Sequence, residues 1–378
     1  MSNIALIPCR GGSKGIIRKN LQLVHGVPLV IRTISACLSG GIDEVFVSTD
    51  DADIAAYAIA AGARVISRPH DISQDTSSTD QVLNHAVDTL LGLGFKRTDN
   101  LFLLQSTSPF TRKETLENAI LALSQNVDHG VFTASDWHGF IWEIKEDYVI
   151  PVHHDHLNRK RRQELSRRVL ETGGLYGASL DSFDKTRIRF VEPLHPLFVG
   201  RIESIEIDTW DDLNFCNQIS FDLVEIPRKK IKVVFSDFDG VLTDNRVYQL
   251  ESGENGAMIN RSDGIAVNNL KSLGIPVIII TGERTGPAFG RAKKLGIECI
   301  YSEDKLQNIV AYCNKNSITL SEVGYIGNDI NDLAPIASCG SSFVPVDSHP
   351  LVKKFAGNIL NSTGGAGVLR EVLDTFSL

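Results

Sequence analysis

The chain has 378 residues, 42% hydrophobic and 22% charged, which is the mix of a folded protein and enough length for two α/β units. Its formal net charge is −8, with 38 Lys plus Arg against 46 Asp plus Glu, and this excludes a general nucleic-acid binder with a basic surface. No apolar run reaches the length of a bilayer span, no secretory leader is evident, and the six scattered cysteines form no C-x-x-C pair; the expectation is a reduced cytoplasmic protein with no membrane partner and no disulfide framework.

The first β-branched run is Ile4-Ala5-Leu6-Ile7. It leads into Pro8-Cys9-Arg10-Gly11-Gly12-Ser13-Lys14-Gly15, followed by Lys19-Asn20. Glycines let such a loop turn its N–H groups toward an anion, and Arg10, Lys14 and Lys19 add the charge a triphosphate requires. The order is neither G-x-x-x-x-G-K-[ST] nor G-x-G-x-x-G, so the loop alone also fits a surface turn. Val45–Ser48, an Ala-rich helical stretch from Asp51 to Ala61 closed by Gly62, Arg64–Ile66 and Leu101–Leu104 continue the series. Buried runs alternating with helices predict a parallel sheet covered on both faces.

His153-His154-Asp155-His156 has a metal-like composition, but with no further ligand set nearby it reads as a polar loop. The basic run Arg159–Arg162, continued by Arg167-Arg168, reads as a solvated face. At Ile205-Glu206-Ile207-Asp208-Thr209 a strand would send Glu206 and Asp208 to one side, a hard-oxygen pair suited to Mg²⁺; outward alternation on an edge strand is the other reading. A Pro-containing basic hinge, Glu225–Lys230, then divides the chain into 1–227 and 228–378.

The strand-and-polar-turn pattern restarts beyond the hinge. Lys232–Phe235 runs into Asp237-Phe238-Asp239-Gly240, the stretch from Asp244 to Asp263 reads as a β-hairpin, Val277–Ile280 ends at Thr281-Gly282, and Val323–Ile326 ends at Gly327-Asn328-Asp329. Ligands of such sheets sit at the carboxyl ends of the strands, where these polar motifs fall.

In Arg10–Lys14, Lys19-Asn20, Ser48-Thr49-Asp50, Arg68-Pro69, Asp75–Thr79, Leu103–Pro109 and Ile205–Thr209, residues 1–227 resemble the acylneuraminate cytidylyltransferases (CMP-sialic acid synthetases). The resemblance implies a Rossmann-like, doubly wound nucleotidyltransferase domain that uses CTP as co-substrate. Arg10, Gly12, Ser13, Lys14 and Lys19 would hold the phosphates, with Arg10 and Lys19 in catalytic roles. Asn20, Arg68, Ser77 and Thr79 would surround the cytidine, and Gln105 would face a nine-carbon sugar acid. Glu206 and Asp208 would bind Mg²⁺; the family's pair is usually Asp-x-Asp, so the shorter Asp208 is the more direct ligand.

Residues 228–378 resemble the haloacid dehalogenase phosphatases in four ordered motifs, at Asp237–Asp244, Thr281, Lys305 and Gly327–Asp332. The resemblance implies a doubly wound, capless domain close to the Kdo-8-phosphate and nonulosonate-9-phosphate phosphatases. Asp237 would be the nucleophile and Asp239 the acid and base, while Thr281 and Lys305 would hold the phosphoryl oxygens. A second Mg²⁺ would lie among Asp237, Asp239 and either Asn328, which stands where relatives carry Asp, or Asp329. Together the resemblances imply CTP-dependent activation of a sialic-acid-like nonulosonate, removal of its 9-phosphate, and a homotetramer built through the C-terminal domain. The alternative keeps that domain for assembly alone.

Overall fold

The computed structural model describes the chain apart from Lys14, Val127, Leu165, 220–228, Leu250, Ser252, Glu254 and 377–378. The expected boundary at 227/228 therefore lies outside the described residues. The strands are β1 Asn3–Pro8, β2 Leu23–Val24, β3 Val27–Pro28, β4 Glu44–Thr49, β5 Arg64–Ser67, β6 Asn100–Leu104, β7 Gly130–Trp137, β8 Ile141–Lys145, β9 Tyr148–Val152, β10 Arg168–Ser179, β11 Leu194–Phe198, β12 Val233–Ser236, β13 Val247–Gln249, β14 Asn255–Ala257, β15 Val277–Thr281, β16 Glu298–Tyr301, β17 Val323–Ile326, β18 Ser341–Val344 and β19 Asn358–Ile359. The helices are α1 Leu29–Ser39, α2 Ala52–Ala60, α3 Thr79–Gly92, α4 Lys113–Gln125, α5 Leu180–Thr186, α6 Trp210–Gln218, α7 Arg261–Ser272, α8 Pro287–Leu295, α9 Lys305–Asn316, α10 Leu333–Ser338, α11 Pro350–Phe355 and α12 Val368–Phe376.

The chain is α/β throughout, built on two large sheets. The first has the order β11-β7-β10-β6-β1-β4-β5 and the second the order β16-β15-β12-β17-β18-β19. The most apolar runs of the sequence are central strands: β1, β6 and β12 are buried on both faces, which is why they read as unbroken hydrophobic stretches. The second sheet is parallel at every pairing.

The first sheet departs from the expected parallel arrangement at one strand. β10 runs antiparallel to both β6 and β7. Between β7 and β10 the chain passes through the β8–β9 hairpin rather than a crossover helix, and only a crossover could bring β10 in parallel to β7. The hairpin expected within residues 244–263 is present as β13–β14.

Each sheet has apolar clusters of its own, and one further cluster runs across both. Ile54, Tyr57 and Ala58 of α2 belong to the same buried apolar cluster as Leu306, Ile309, Val310 and Cys313 of α9. The Nδ2 of Asn314 on α9 donates to the Ala56 carbonyl on α2 at 3.1 Å. No helix among the described residues is long and apolar enough to cross a membrane. All six cysteines are free.

Candidate active sites

At the carboxyl ends of β1, β5 and β6 lies an open cleft of about 280 Å³, at the lower edge of the roughly 300–1,000 Å³ of small-molecule sites. Its walls bring together Arg10, Ser13, Lys19, Asn20, Arg68, Ser77, Thr79 and Gln105 from stretches far apart in the chain. Lys14 lies outside the described residues. Gly12 is exposed, and a Cβ there would meet nothing within 4 Å. It is Gly11 that has no room: a Cβ would lie 2.7 Å from Asp51 Oδ2, and its N–H donates to Asp50 Oδ1 at 3.0 Å.

Polar side chains fix the floor of the cleft. Asn20 is buried; it donates to the Arg10 carbonyl at 2.9 Å and accepts from Ser106 Oγ at 2.6 Å, tying the glycine loop to the end of β6. Arg68 donates to the Ser48 carbonyl at 2.6 Å, and burial lowers its pKa. Thr79 opens α3, whose N-terminus is closed by a capping box between Ser78 and Gln81. Two cations of the loop are held by acids. Arg10 pairs with Asp75 at 2.7 Å, and Lys19 pairs with Asp208 at 3.0 Å while donating to the Ile207 carbonyl at 2.9 Å.

The expected strand at 205–208 is absent: these residues join no sheet. Their one backbone hydrogen bond to the β6 end runs from the Ile207 N–H to the Thr107 carbonyl at 2.8 Å; Lys19 grips the Ile207 carbonyl and Asp208, the Asp208 N–H donates to Asp212, and Ile207 is buried. The segment still alternates, so Glu206 and Asp208 share the side facing the cleft rim. Glu206 accepts from Thr107 Oγ1 at 3.2 Å. Burial raises its pKa, and the Asp208 charge raises it further. Nearby, β10 shifts register between Glu171 and Tyr176. Gly173 takes a φ of +72° in this bulge, where a Cβ would lie 3.3 Å from Glu206 Oε2 and 3.7 Å from Gln105 Nε2, while the Tyr176 hydroxyl donates to Glu171.

The histidine and arginine runs lie elsewhere. His154 and His156 meet Trp142 edge-on, and His154 also meets Phe140. Arg159 stacks on Phe140 and Arg167 on Phe198. No group of three or more His, Cys, Asp or Glu that could hold a metal exists among the described residues.

A second constellation stands at the carboxyl ends of β12, β15 and β17. Asp237 follows β12, and its N–H donates to the Ile326 carbonyl of β17 at 2.8 Å. Lys305, the first residue of α9, places Nζ 2.8 Å from Asp237 Oδ2 and 2.7 Å from Asp332 Oδ1; all three side chains are buried. Burial raises the pKa of Asp237, the Asp332 charge adds to that, and Lys305 opposes both. Burial alone would lower Lys305, but the two carboxylates overcome it and hold its pKa raised. Thr281 ends β15 and is buried. Asp239 is half-buried and accepts from Thr243 Oγ1 at 3.4 Å; burial raises its pKa.

The two residues after Gly327 have separate positions. Asn328 is buried against Gly240, where a Cβ would lie 2.0 Å from its Nδ2, and its Oδ1 is buried without a hydrogen-bond partner. Asp329 is exposed and spends Oδ1 on the Ile330 N–H at 2.7 Å. Asp332, to which sequence reasoning gave no role, is the centre of the site: it accepts from Lys305, from Tyr325 and from the N–H groups of Asn328 and Asp329. Its only sequence signal is its place at the end of the Gly327–Asp332 motif. Asp75, opposite Arg10, likewise has only its place in the Asp75–Thr79 motif as a sequence signal.

The family model described as cytidylyltransferase matches residues 4–160. The pseudaminic acid cytidylyltransferase of Campylobacter jejuni is 30% identical over 221 residues, covering 57% of this chain and 94% of that protein. The chain belongs to the cytidylyltransferase family. It is thus a nucleotidyltransferase by sequence, and the likeness extends beyond the first sheet: the N-acylneuraminate cytidylyltransferase A of Danio rerio is 28% identical over 380 residues, covering 97% of this chain and 86% of that protein. A solved 3-deoxy-D-manno-octulosonate 8-phosphate phosphatase from Moraxella catarrhalis, in complex with magnesium, phosphate and KDO, is 33% identical, covers 38% of this chain and 84% of that one, and has a TM-score of 0.38.

Proposed function

We propose that this cytidylyltransferase joins CMP to a sialic-acid-like nonulosonate in the cleft of the first sheet, and that the second sheet carries a phosphatase for the sugar's 9-phosphate. The reading divides the chain into a cytidylyltransferase unit, 1–227, and a phosphatase unit, 228–378, acting in the cytoplasm as a homotetramer without nucleic acid. The observation that carries it is the convergence of Arg10, Ser13, Lys19, Asn20, Arg68, Ser77, Thr79 and Gln105 on one cleft.

In the first reaction the anomeric oxygen of the sugar attacks the α-phosphorus of CTP and pyrophosphate leaves. Arg10 and Lys19 stand where phosphates would meet them, each releasing its present carboxylate, Asp75 or Asp208, to do so. Arg68 and Asn20 are held rigidly by buried hydrogen bonds and orient the nucleoside. Gln105 and the glycine bulge of β10 face the sugar. Glu206 and Asp208 fit Mg²⁺, because the Asp208 charge helps raise the proton affinity of Glu206 and a divalent cation would relieve that repulsion. When bound, it would neutralise charge on the triphosphate and the leaving pyrophosphate.

In the second reaction an Asp237 oxygen forms a bond to phosphorus as the bond to the sugar oxygen breaks. Asp239 gives its proton to that oxygen and then takes one from the water that cleaves the acyl phosphate; its raised pKa suits both roles. Lys305 and Thr281 meet the phosphoryl oxygens. The unpartnered Oδ1 of Asn328, packed against Gly240, would supply a neutral ligand for a second Mg²⁺.

The test uses two variants of the full chain. Asp208→Asn should cut pyrophosphate release from CTP and a nonulosonate at least about a hundredfold, through lost metal charge, and leave hydrolysis of the sugar 9-phosphate intact. Asp237→Asn should do the reverse and leave oligomer size unchanged. Wild-type cytidylyl transfer by Asp208→Asn sinks the first assignment. Absence of any hydrolysis by the wild type at high Mg²⁺ sinks the second and leaves the C-terminal unit an assembly module.

A further inference from the structure

Resting on the phosphatase reading, we propose that Tyr325 is a positioning residue of that site, fixing Asp332 so that Asp332 holds Lys305 on one oxygen and the Asn328 loop on the other. Tyr325 lies in β17, two residues before the Gly327 turn, and is fully buried. A buried hydroxyl needs an acceptor, and this one donates to Asp332 Oδ1 at 2.5 Å.

The geometry of Asp332 shows why that bond matters. An ionised carboxylate offers about four acceptor positions, and here all are used. Oδ1 takes Lys305 Nζ at 2.7 Å and the Tyr325 hydroxyl, and Oδ2 takes the N–H groups of Asn328 at 2.8 Å and Asp329 at 3.2 Å. Gly327 leaves room for this approach, since a Cβ there would lie 2.6 Å from Asp332 Cβ. So filled, the carboxylate cannot rotate. Lys305 stays shared between Asp332 and Asp237, and Asn328 keeps its unpartnered Oδ1 in place. Without the tyrosine hydroxyl, Oδ1 answers to Lys305 alone. The ammonium is then drawn toward Asp332 and away from Asp237, and the loop bearing Asn328 loses the constraint on its anchor.

Tyr325→Phe removes only the hydroxyl. In the full-length chain, hydrolysis of a nonulosonate 9-phosphate should lose about 10-fold or more in kcat, with KM changed by less than about threefold, and Mg²⁺ binding by titration calorimetry should weaken by about 10-fold, the scale of lost supporting hydrogen bonds at metal sites. Cytidylyl transfer should be unchanged, which also reports that the chain is folded. Wild-type kcat and Mg²⁺ affinity in a folded Tyr325→Phe overturn the proposal while the phosphatase reading stands. A wild type that binds Mg²⁺ without hydrolysing, with Tyr325→Phe binding it more weakly, upholds the positioning role and overturns the phosphatase reading. A wild type that neither hydrolyses nor binds Mg²⁺ overturns both. If Tyr325→Phe does not fold, Asp332→Asn is compared with Asp332→Asn/Tyr325→Phe, where no buried charge is left underpaired. Because Tyr325 acts through Asp332, the pair should match in Mg²⁺ affinity; a further loss of about fivefold or more in the double variant refutes that.

Discussion

Replacing Lys305 with Met keeps the length of the side chain and removes its charge. The Lys305 side chain is 2% exposed, and its partners Asp237 and Asp332 are 8% and 0% exposed. The variant therefore leaves two buried carboxylates with no cation between them, and removing one partner from a buried charge network costs about 3–5 kcal/mol. For a unit of about 150 residues this corresponds to a fall in melting temperature of about 10 °C. The loss should depend on pH in a definite direction. Burial and the Asp332 charge already raise the pKa of Asp237 in the wild type, with Lys305 opposing them; without Lys305 it rises further. An unfolded aspartate titrates near ~3.9, so between that value and the raised folded value the native state holds a proton the unfolded chain lacks. Stability then falls as pH rises through this window. Thermal melts of wild type and Lys305→Met at several pH values should show the smallest deficit near pH 5 and the largest near pH 8, with hydrolysis abolished throughout. Adding Asp237→Asn should restore part of the stability, since one of the two unpaired charges is gone. A deficit that is the same at both ends of the range, or below about 1 kcal/mol against the cost expected for a buried pair, refutes the reasoning.

Asp75→Ala releases Arg10 from a partly exposed pair, so melting should hardly change, while the KM for CTP falls; Arg10→Ala should raise it, and unchanged steady-state kinetics in both would remove Arg10 from the phosphate site. Asn328→Asp adds a charge beside Gly240 and Asp237: the Mg²⁺ concentration for half-maximal hydrolysis should fall, and melting without Mg²⁺ should drop because the new carboxylate joins two others. An unchanged Mg²⁺ requirement would show that this side chain does not face the metal.

The sequence by itself pointed to both candidate sites. Their residues sit immediately after apolar runs, and a run buried on both faces can only be a central strand, whose carboxyl end is where an α/β sheet binds ligands. That is why position alone marks Arg10, Asp237 and Thr281 as candidates, whereas Gln105 rests on the resemblance to the cytidylyltransferases. Which groups pair within each site was decided by tertiary structure. Arg10 meets Asp75 from 65 positions away, Lys19 meets Asp208 from 189 away, and Lys305 meets Asp332 from 27 away; no local period of 2 or 3.6 carries such contacts. The same holds for β10, whose direction was set by the hairpin before it and not by its own composition. Glu206 and Asp208 kept their shared face without a strand, because the alternation reflects which side chain can be buried, whereas a strand also needs a neighbour to accept its hydrogen bonds. The role of Asp332 is not legible in the sequence for a related reason. An aspartate in a turn is usually a solvated cap, and only the folding of Tyr325, Lys305 and the Asn328 loop around it makes it the centre of a buried site.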